Sequence, residues 1–311
     1  MNKSHYNNIL IVKHGSLGDI AFSLLAMTTL RKYFIGANID LLTEGKYVNF
    51  LNKSGNFDSI IEDNREGIIS TFKIILKISK NNYDLIIDLQ NSKRTNYYWL
   101  LLKYFSKSKI NGSRSNCNIR YKIPSQGTES PQRGLYNQIK LLGIDQIVDD
   151  VDWLITNTSE ISEDKLILFI PGVSKSGKYK QWPVQRFVEL ANILENKSYK
   201  ICVIGQHNDK QITDQIKQSC SNIIDLTGKS PPEIIFSIAK KSHLVISNDT
   251  GPGHIAALSK TKILFLAIDN IISDSNLSEY ENAFKILGKS MDQISVDDVL
   301  KFLDEKELIT K

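Results

Sequence analysis

The stretch from Leu244 to Leu258 most constrains the fold, because it runs from an apolar strand through a glycine-bearing turn into a helix. β-Branched residues up to Ser247 are typical of a buried strand, and the residues from His254 onward favour a helix. Backbone N–H groups at a helix start attract anions, and glycine lets a ligand approach the backbone. The turn therefore predicts a phosphate site, although a plain N-cap at Asp249 or Thr250 would give the same pattern. The candidate phosphate-binding residues are Asp249, Thr250, Gly251 and His254.

A second turn of this kind follows the strand predicted at Ile9–Val12. It has neither the spacing of a P-loop nor that of the dinucleotide-binding glycine motif. It offers a carboxylate, Asp19, where a strand end meets a helix start, and open α/β sheets bind ligands at such points. We expect Asp19 to take part in chemistry, the alternative being that it only stabilises the first turn of the helix. The candidate ligand contacts beside it are Gly15, Ser16 and Gly18.

Strand and helix patterns alternate through both halves of the 311 residues. A chain of this length exceeds the usual size of one core, and strands separated by helix-length segments predict an α/β fold with a parallel sheet in each half. We place the boundary in the linker 149–164, which gives domains of 1–155 and 156–311, with the last helix able to pack back on the first domain. The predicted strands are Ile9–Val12, Ile39–Leu42, Ser59–Ile61, Leu85–Leu89, Lys109–Ile110, Leu166–Ile170, Ile201–Ile204, Ile223–Asp225, Leu244–Ser247 and Lys262–Leu266. The predicted helices lie near 20–34, 46–53, 67–80, 92–105, 131–143, 183–196, 208–219, 231–240 and 254–259.

Composition excludes several classes of protein. Hydrophobic residues make up 41% and charged residues 23% of the chain, as in a globular protein, and no apolar run reaches the about 18 residues of a membrane span. The short polar start before Ile9 leaves no room for a secretory signal, so we expect a cytoplasmic protein. The three cysteines, Cys117, Cys202 and Cys220, lack paired spacing, which argues against a disulfide framework or a zinc site.

Positive charge is concentrated in the first half. Residues 1–155 hold 20 lysines and arginines against 14 carboxylates, and no acidic residue occurs between Leu89 and Thr128. Such a segment attracts anions, for example nucleic acid, an acidic membrane face or an anionic substrate, although a solvated helix face is the plain alternative. The candidate anion-binding residues are Lys93, Arg94, Arg114 and Arg120.

The loop 171–183 is rich in residue types that bind phosphate. It carries Ser174, Ser176 and three lysines, including Lys180, and it ends at a Trp-Pro helix start. Lysine ammonium groups beside backbone N–H groups and hydroxyls neutralise a diphosphate well. After the next strand, Asp209 is placed to accept the hydroxyls of a ribose, a helix cap being an equally good interpretation.

Five motifs in this order resemble glycosyltransferase family 9, the heptosyltransferases of lipopolysaccharide core assembly. They are K-H-G-S-L-G-D at 13–19, Y-D-L-I-I-D-L-Q at 83–90, P-G-V-x6-K-x-W-P at 171–183, D-L-T-G-K at 225–229 and S-N-D-T-G-P-G-H at 247–254. The resemblance covers about residues 8–266. It implies a GT-B architecture, in which two Rossmann-like domains with parallel sheets face a central cleft, the first binding the acceptor and the second the nucleotide sugar.

The resemblance also implies a role for each motif. Asp19 matches the general base, with Gly15, Ser16 and Gly18 on the acceptor side, and Lys180 matches the lysine that binds the donor phosphate. The loop is longer here than in well-known members, so Lys178 or Lys175 could share that role. Residues 249–251 and His254 match the phosphate turn, and Asp209 matches the ribose contact only loosely. The helix after Asp19 lacks the family's His and Pro, and the segment 265–274 departs from the family's pattern, which leaves sugar and acceptor open.

The reaction that the resemblance implies is an inverting displacement on a nucleotide sugar, ADP-heptose in this family, without a cofactor. Because no D-x-D motif appears in a plausible site, we expect no obligatory metal. Because the segment from Leu89 to Thr128 is basic, we expect an anionic glycolipid acceptor, such as the lipopolysaccharide inner core. We also expect peripheral contact with the inner face of the cytoplasmic membrane. We expect neither nucleic acid nor an obligate protein partner. One alternative is a nucleotide or polyanion binder without catalysis, in which Asp19 would repel the ligand. The other is a GT-B UDP-sugar epimerase, which needs further carboxylates.

Overall fold

A computed structural model describes residues 6–125, 129–158, 161, 165–220 and 222–309 of the chain. Residues 1–153 and 154–311 form two compact units. Parts of the predicted linker and of the carboxylate-free segment, namely 159–160, 162–164 and 126–128, lie outside the described residues, as do 1–5.

The first unit contains a six-stranded parallel sheet. Its elements are β1 (Asn8–Val12), α1 (Leu17–Ala21), α2 (Leu24–Tyr33), β2 (Asn38–Thr43), α3 (Gly45–Asn52), β3 (Ser59–Glu62), α4 (Gly67–Lys80), β4 (Leu85–Asp88), α5 (Lys93–Leu102), β5 (Lys109–Gly112), β6 (Ile119–Arg120) and α6 (Pro131–Lys140). The strand order is β3-β2-β1-β4-β5-β6. Part of its core lies where Leu10, Ile86 and Ile110 meet Tyr98 and Trp99 of α5.

The second unit also contains a six-stranded parallel sheet. Its elements are β7 (Leu166–Ile170), α7 (Val184–Asn196), β8 (Lys200–Val203), α8 (Lys210–Ser219), β9 (Ile223–Asp225), α9 (Pro232–Lys241), β10 (Leu244–Asn248), α10 (Gly251–Ala257), β11 (Ile263–Ile268), α11 (Ile271–Leu277), β12 (Ala283–Gly288) and α12 (Val296–Glu305). Short 3-10 turns cover Lys175–Lys180 and His207–Asp209. The strand order is β12-β11-β10-β7-β8-β9.

The two sheets are built around a central first strand in each unit. In the first sheet β1 lies between β2 and β4, so that Ile11 lies opposite Leu41 and Ile87. In the second sheet β7 lies between β8 and β10, so that Phe169 lies opposite Val203 and Ile246. The central strands are buried apolar runs, as expected for a sheet covered on both faces. Strand order therefore reverses beside β1 and beside β7, and ligands bind outside the carboxyl ends of strands at such points.

The ten predicted strands and most of the predicted helices are confirmed within a few residues. The prediction that the first helix begins at Ile20 was wrong, since Ser16 caps it and it begins at Leu17, breaking before Leu24. The helix predicted from His254 begins at Gly251, because proline is tolerated in a first helical turn. The sequence analysis did not predict β6, α11 and β12, and it gave no bounds for the last helix, α12. Val299 and Leu303 of α12 lie in the core of the second unit.

The three cysteines are free, buried thiols, with Cys117 in the first unit and Cys202 and Cys220 in the second. Burial raises the pKa of the Cys117 thiol to about 12, and it does the same for Cys202. Among the described residues, the helices are all too short or too polar to cross a bilayer. The same residues contain no group of three or more His, Cys, Asp or Glu side chains arranged to hold a metal ion.

Candidate active site

The loop after β1 holds Asp19 in the first turn of α1. Asp19 Oδ2 accepts hydrogen bonds of 2.7 Å from both the backbone N–H and the hydroxyl of Ser16. The Ser16 hydroxyl in turn accepts from the Asp19 backbone N–H at 3.3 Å, which completes a capping box. The helix-stabilising role is therefore present in the structure. It does not exclude chemistry, because a carboxylate has about four lone-pair positions and both Ser16 bonds go to one oxygen.

Gly15 has the backbone conformation that this arrangement requires. Its φ is +114°, in the region that favours glycine, and a Cβ atom on it would lie 2.6 Å from Asp19 Oδ2. The Gly15 N–H donates to Glu44 Oε1 at 2.9 Å, and the Tyr47 hydroxyl donates to the Gly15 carbonyl at 3.1 Å. Glu44 and Tyr47 follow β2 and were not predicted as site residues. They fix both polar groups of the glycine that lies against the Asp19 carboxylate.

Glu44 is itself held by cations. It pairs with Lys46 at 2.9 Å and with Arg65 at 2.5 Å. Burial alone would raise the pKa of Glu44, but the Gly15 N–H and the two cations outweigh it and lower this pKa. Burial, together with the carboxylates of Glu44 and Asp19, raises the pKa of Tyr47. Tyr47 is thus a neutral donor to the loop at ordinary pH.

A buried polar network supports the start of the same loop. The His14 ring lies 3.4 Å from the Asp63 carboxylate, which accepts a 2.8 Å hydrogen bond from the Tyr98 hydroxyl. Burial would raise the pKa of Asp63, but the nearby His14 ring and hydrogen bonds from Tyr98 and the Arg65 N–H lower it to about 2. This aspartate, at the end of β3, was also missed by the sequence analysis.

In the second unit, Asp249 lies at the centre of a cluster that follows β10. Lys180 Nζ lies 2.8 Å from Asp249 Oδ2, and His254 Nε2 lies 3.2 Å from Asp249 Oδ1. The Ser273 hydroxyl also donates to Oδ2 at 3.2 Å. Burial alone would raise the pKa of Asp249, but the hydrogen bonds and charges of His254 and Lys180 hold it well below its usual range. Asp249 is therefore a carboxylate at any ordinary pH.

His254 is fixed by aromatic neighbours. Its ring lies near those of Phe265 and Tyr280, with centroids 5.7 and 5.8 Å away, and Nδ1 is 3.3 Å from the Tyr280 hydroxyl. Thr250 is the N-cap of α10, and Gly253 approaches β10 so closely that a Cβ would lie 2.5 Å from the Ser247 hydroxyl. α10 is short, with only seven residues, and the side-chain cluster around Asp249 stands directly before it.

The three lysines of the 171–183 loop occupy different surroundings. Lys180 is half-buried against Asp249, whereas Lys175 and Lys178 are exposed. Ser174 and Ser176 are exposed too, with their hydroxyl oxygens 3.3 Å apart. The structure thus brings Lys180, Asp249 and His254 together and leaves the two serines on the outer part of the loop.

Asp209 lies against the loops that follow β7 and β8. Its carboxylate accepts a 2.8 Å hydrogen bond from the Gln206 N–H, and burial raises its pKa. A Cβ on Gly172 would lie 2.5 Å from Asp209 Oδ2. Asp209 is also the N-cap residue of α8, although its side chain makes no cap hydrogen bond to that helix.

The candidate cations of the basic segment differ in the contacts that their side chains make within the protein. Lys93 is exposed at the first residue of α5. Arg94 donates to the Tyr98 hydroxyl at 2.5 Å and to Thr71 at 2.8 Å. Arg114 donates through Nε to the Asn91 carbonyl, and Arg120 donates through Nε to the Ser113 carbonyl at 3.1 Å. Lys93 is thus a surface charge, whereas the arginines also have structural contacts.

Comparison with known proteins shows the family of the chain. Residues 71–266, more than half of the chain, match the family described as glycosyltransferase family 9 (heptosyltransferase). The chain is 24% identical to lipopolysaccharide heptosyltransferase 3 of Escherichia coli (strain K12), covering 82% of this chain and 81% of that protein. It is also 24% identical to lipopolysaccharide heptosyltransferase 1 of Campylobacter coli, covering 89% of this chain and 86% of the relative.

A solved structure shares the fold. E. coli heptosyltransferase WaaC with ADP-2-deoxy-2-fluoro heptose superimposes with a TM-score of 0.76 at 17% identity, covering 96% of this chain and 99% of that one. The predicted GT-B type of α/β fold, built from two Rossmann-like units, is confirmed. The extent of the family match shows the enzyme class as well: the protein is a glycosyltransferase and belongs to glycosyltransferase family 9.

Proposed function

We propose that the protein transfers a heptose from ADP-heptose to an anionic glycolipid acceptor, such as the inner core of lipopolysaccharide. The observation that carries the proposal is the Lys180–Asp249–His254 cluster, which lies at the strand-order reversal of the second sheet in a family 9 chain. The names of the relatives, lipopolysaccharide heptosyltransferases, support both the sugar and the acceptor.

The second unit binds the donor in this proposal. The Lys180 ammonium and the backbone N–H groups at Thr250 and Gly251 stabilise the negative charge that grows on the departing diphosphate. Asp249 holds the ammonium at 2.8 Å, so that little reorganisation is needed when the donor binds. Ser174 and Ser176 supply hydroxyl donors at the outer end, and Asp209 accepts hydroxyls of the nucleoside.

The first unit supplies the base. Asp19 removes the proton of the acceptor hydroxyl while that oxygen forms a bond to the anomeric carbon, and the bond to the nucleoside diphosphate breaks on the opposite side. This single displacement inverts the anomeric centre. Two bonds from Ser16 orient the carboxylate, and general base catalysis of this kind typically contributes ~10²–10⁴-fold. Neither a cofactor nor a metal takes part in the proposed step.

The acceptor binds through the basic segment of the first unit. Lys93, Arg94, Arg114 and Arg120 meet its phosphate or carboxylate groups, and Gly15, Ser16 and Gly18 lie beside the attacking hydroxyl. Arg114 and Arg120 donate within the protein through Nε, so their terminal N–H groups can make a bidentate contact. An acceptor of this kind lies in a membrane, so the protein acts in the cytoplasm and in peripheral contact with the inner face of the cytoplasmic membrane.

The test is incubation of the full-length chain with a panel of nucleotide sugars and a lipopolysaccharide acceptor that lacks heptose, followed by mass spectrometry. The expected result is an acceptor heavier by one heptose together with free ADP, formed from ADP-heptose alone. Transfer of another sugar would overturn the donor assignment. Binding of nucleotide without transfer would favour a binding protein, and conversion of a UDP-sugar without acceptor would favour an epimerase.

A further inference from the structure

The helices α4 and α5 present an exposed apolar surface that no proposed catalytic role uses. On α4, Ile68, Phe72 and Leu76 follow one another at four-residue spacing, and Ile68 is 86% and Phe72 48% exposed. Residues at this spacing lie on one face of a helix. The side of α4 next to this row, with Ile74, Ile75 and Ile78, is buried in the core. The apolar part of the helix is therefore wider than the part that protein covers.

The neighbouring helix continues this surface. Tyr97 and Leu101 lie four residues apart on α5, and Phe105 lies in the turn that follows this helix; they are 63%, 36% and 53% exposed. Two contacts hold α4 beside α5 and the turn after it: Arg94 donates to the Thr71 hydroxyl at 2.8 Å, and the Ser79 hydroxyl donates to the Phe105 carbonyl at 3.3 Å. The two sets of residues thus belong to one face, which we call the α4–α5 surface. Single exposed apolar residues need no explanation, but two adjacent sets of them do.

The charged residues on α4 and at the start of α5 are positive, and the exposed Glu66 stands at the N-cap of α4. Lys73, Lys77 and Lys80 lie on the exposed side of α4, and Lys93 begins α5. The sequence has no carboxylate from Gly67 to Tyr83 or from Leu89 to Thr128. A partner protein would bring its own mixture of charges, whereas an anionic bilayer offers hydrocarbon beneath a negative surface. Lysine reaches such a surface while its methylene groups stay in the apolar layer.

We infer that the α4–α5 surface docks the enzyme on an anionic lipid bilayer, with Ile68, Phe72, Leu101 and Phe105 entering the boundary between headgroups and acyl chains. Helices that lie flat in a membrane interface have this division into an apolar row and a lysine border. The inference rests on the proposed function for its purpose, since a docked enzyme meets a glycolipid acceptor in the plane of the membrane. Its evidence, exposure and charge, is independent of the catalytic residues.

The experiment measures co-sedimentation of the full-length chain with vesicles of phosphatidylcholine and phosphatidylglycerol, and with vesicles of phosphatidylcholine alone. We expect binding to the mixed vesicles only. The variant Ile68→Ser/Phe72→Ser should weaken it by at least about tenfold, and Lys73→Gln/Lys77→Gln by about fivefold for each lysine removed. Circular dichroism and thermal unfolding check that both variants fold.

Matched controls come from elsewhere on the surface of the chain. Ile35 and Leu141 are 88% and 49% exposed, almost the same as Ile68 and Phe72, but lie outside the α4–α5 surface. Ile35→Ser/Leu141→Ser should bind vesicles as the unmodified protein does, and so should Lys140→Gln/Lys306→Gln. Equal vesicle binding by Ile68→Ser/Phe72→Ser and the unmodified protein would overturn the inference. So would a dimer in solution that this variant dissociates, because the surface would then join two copies of the chain.

Activity assays separate this inference from the proposed function. With acceptor embedded in mixed vesicles, Ile68→Ser/Phe72→Ser should raise the acceptor KM, and with a delipidated acceptor in solution its kinetics should equal those of the unmodified enzyme. A defect of equal size on both acceptors would overturn the docking role. If the chain binds vesicles as expected but transfers no sugar from any donor, the docking inference stands and the proposed function fails.

Discussion

Lys180 lies 2.8 Å from Asp249, and this ion pair connects the loop after β7 with the turn after β10. These two strands are neighbours in the sheet although more than seventy residues separate them in the chain. The pair distinguishes Lys180 from Lys175 and Lys178, which are exposed on the same loop. A lysine that is oriented by a buried carboxylate before the donor binds has less conformational freedom to lose on binding.

Replacing Lys180 by alanine should weaken the binding of a nucleoside diphosphate by about 1.5–3 kcal/mol, the contribution of a hydrogen bond to a charged group. Isothermal titration calorimetry with ADP measures this directly. Lys178→Ala is the control and should leave the affinity within about twofold, since the Lys178 side chain is exposed. A loss at Lys178 with no loss at Lys180 would mean that the wrong lysine of the loop has been assigned.

Asp19→Asn should lower turnover by at least about a hundredfold and leave donor affinity nearly unchanged. Asparagine can still accept the two Ser16 hydrogen bonds, so the loop keeps its shape, but it cannot take the acceptor proton. Steady-state kinetics and donor titration check the two halves of the prediction. Turnover within about threefold of the unmodified enzyme would remove Asp19 from the role of base.

Gly15→Ala should lower kcat in addition to lowering the free energy of unfolding. The new Cβ would lie 2.6 Å from Asp19 Oδ2 and would displace that carboxylate. The control is Gly36→Ala, because Gly36 also has a positive φ, +83°, but a Cβ atom on it would have no neighbour within 4 Å. Both substitutions should cost ~1–2 kcal/mol of unfolding free energy through backbone strain. Only Gly15→Ala should lower kcat, and equal kcat values for the two variants would contradict the placement of Asp19.

Asp63→Asn should reduce stability in a pH-dependent way. The pKa of Asp63 falls from 3.8 to about 2 on folding, so its carboxylate stabilises the folded state above about pH 4, and this contribution is lost as the pH falls through about 2. Urea unfolding should show the variant less stable by about 2 kcal/mol near pH 7, with the difference shrinking toward pH 2. The exposed Asp145→Asn is the control, and a difference that does not change with pH would contradict the prediction.

Lys93→Glu should raise the KM for an anionic acceptor in solution without changing donor KM. A carboxylate at the start of α5 suits the helix dipole, so a kinetic loss would not come from a weaker helix. The acceptor KM of the unmodified enzyme should also rise with ionic strength more steeply than the donor KM, because exposed charge contacts are screened. Lys140→Glu is the charge-matched control. Unchanged acceptor kinetics would make the basic segment a solvated face.

The sequence predicted well those elements that are buried on both faces. The runs at Leu10–Val12 and Leu244–Ile246 are apolar because helices cover both sides of the sheet. A strand of this kind can be recognised from its own residues, without knowing which strands pair with it. β12 was missed because it is an edge strand whose residues are mostly half-buried and include Lys285. Its composition resembles that of an exposed segment, and only its pairing with β11 makes it a strand.

Only part of the candidate site could be predicted, because the sequence shows local motifs but not contacts between distant residues. Lys180, Asp249 and His254 lie in motifs that can be read locally, and the structure places them together. Glu44 and Ser273 have no local signal, because their partners, Gly15 and Asp249, lie 29 and 24 residues away along the chain. Contacts of this kind depend on which strands are neighbours, and strand order cannot be read from the spacing of apolar residues.

The reactivity of the buried cysteines provides a measure of local opening in each unit. Cys117 in the first unit and Cys202 in the second are enclosed, and burial raises the pKa of each thiol to about 12, so alkylating reagents meet neither a thiolate nor an open path. Each thiol can react only when its own unit opens. Pulsed alkylation followed by peptide mass spectrometry at Cys117 and Cys202 therefore measures the opening free energy of each half separately, without an engineered residue.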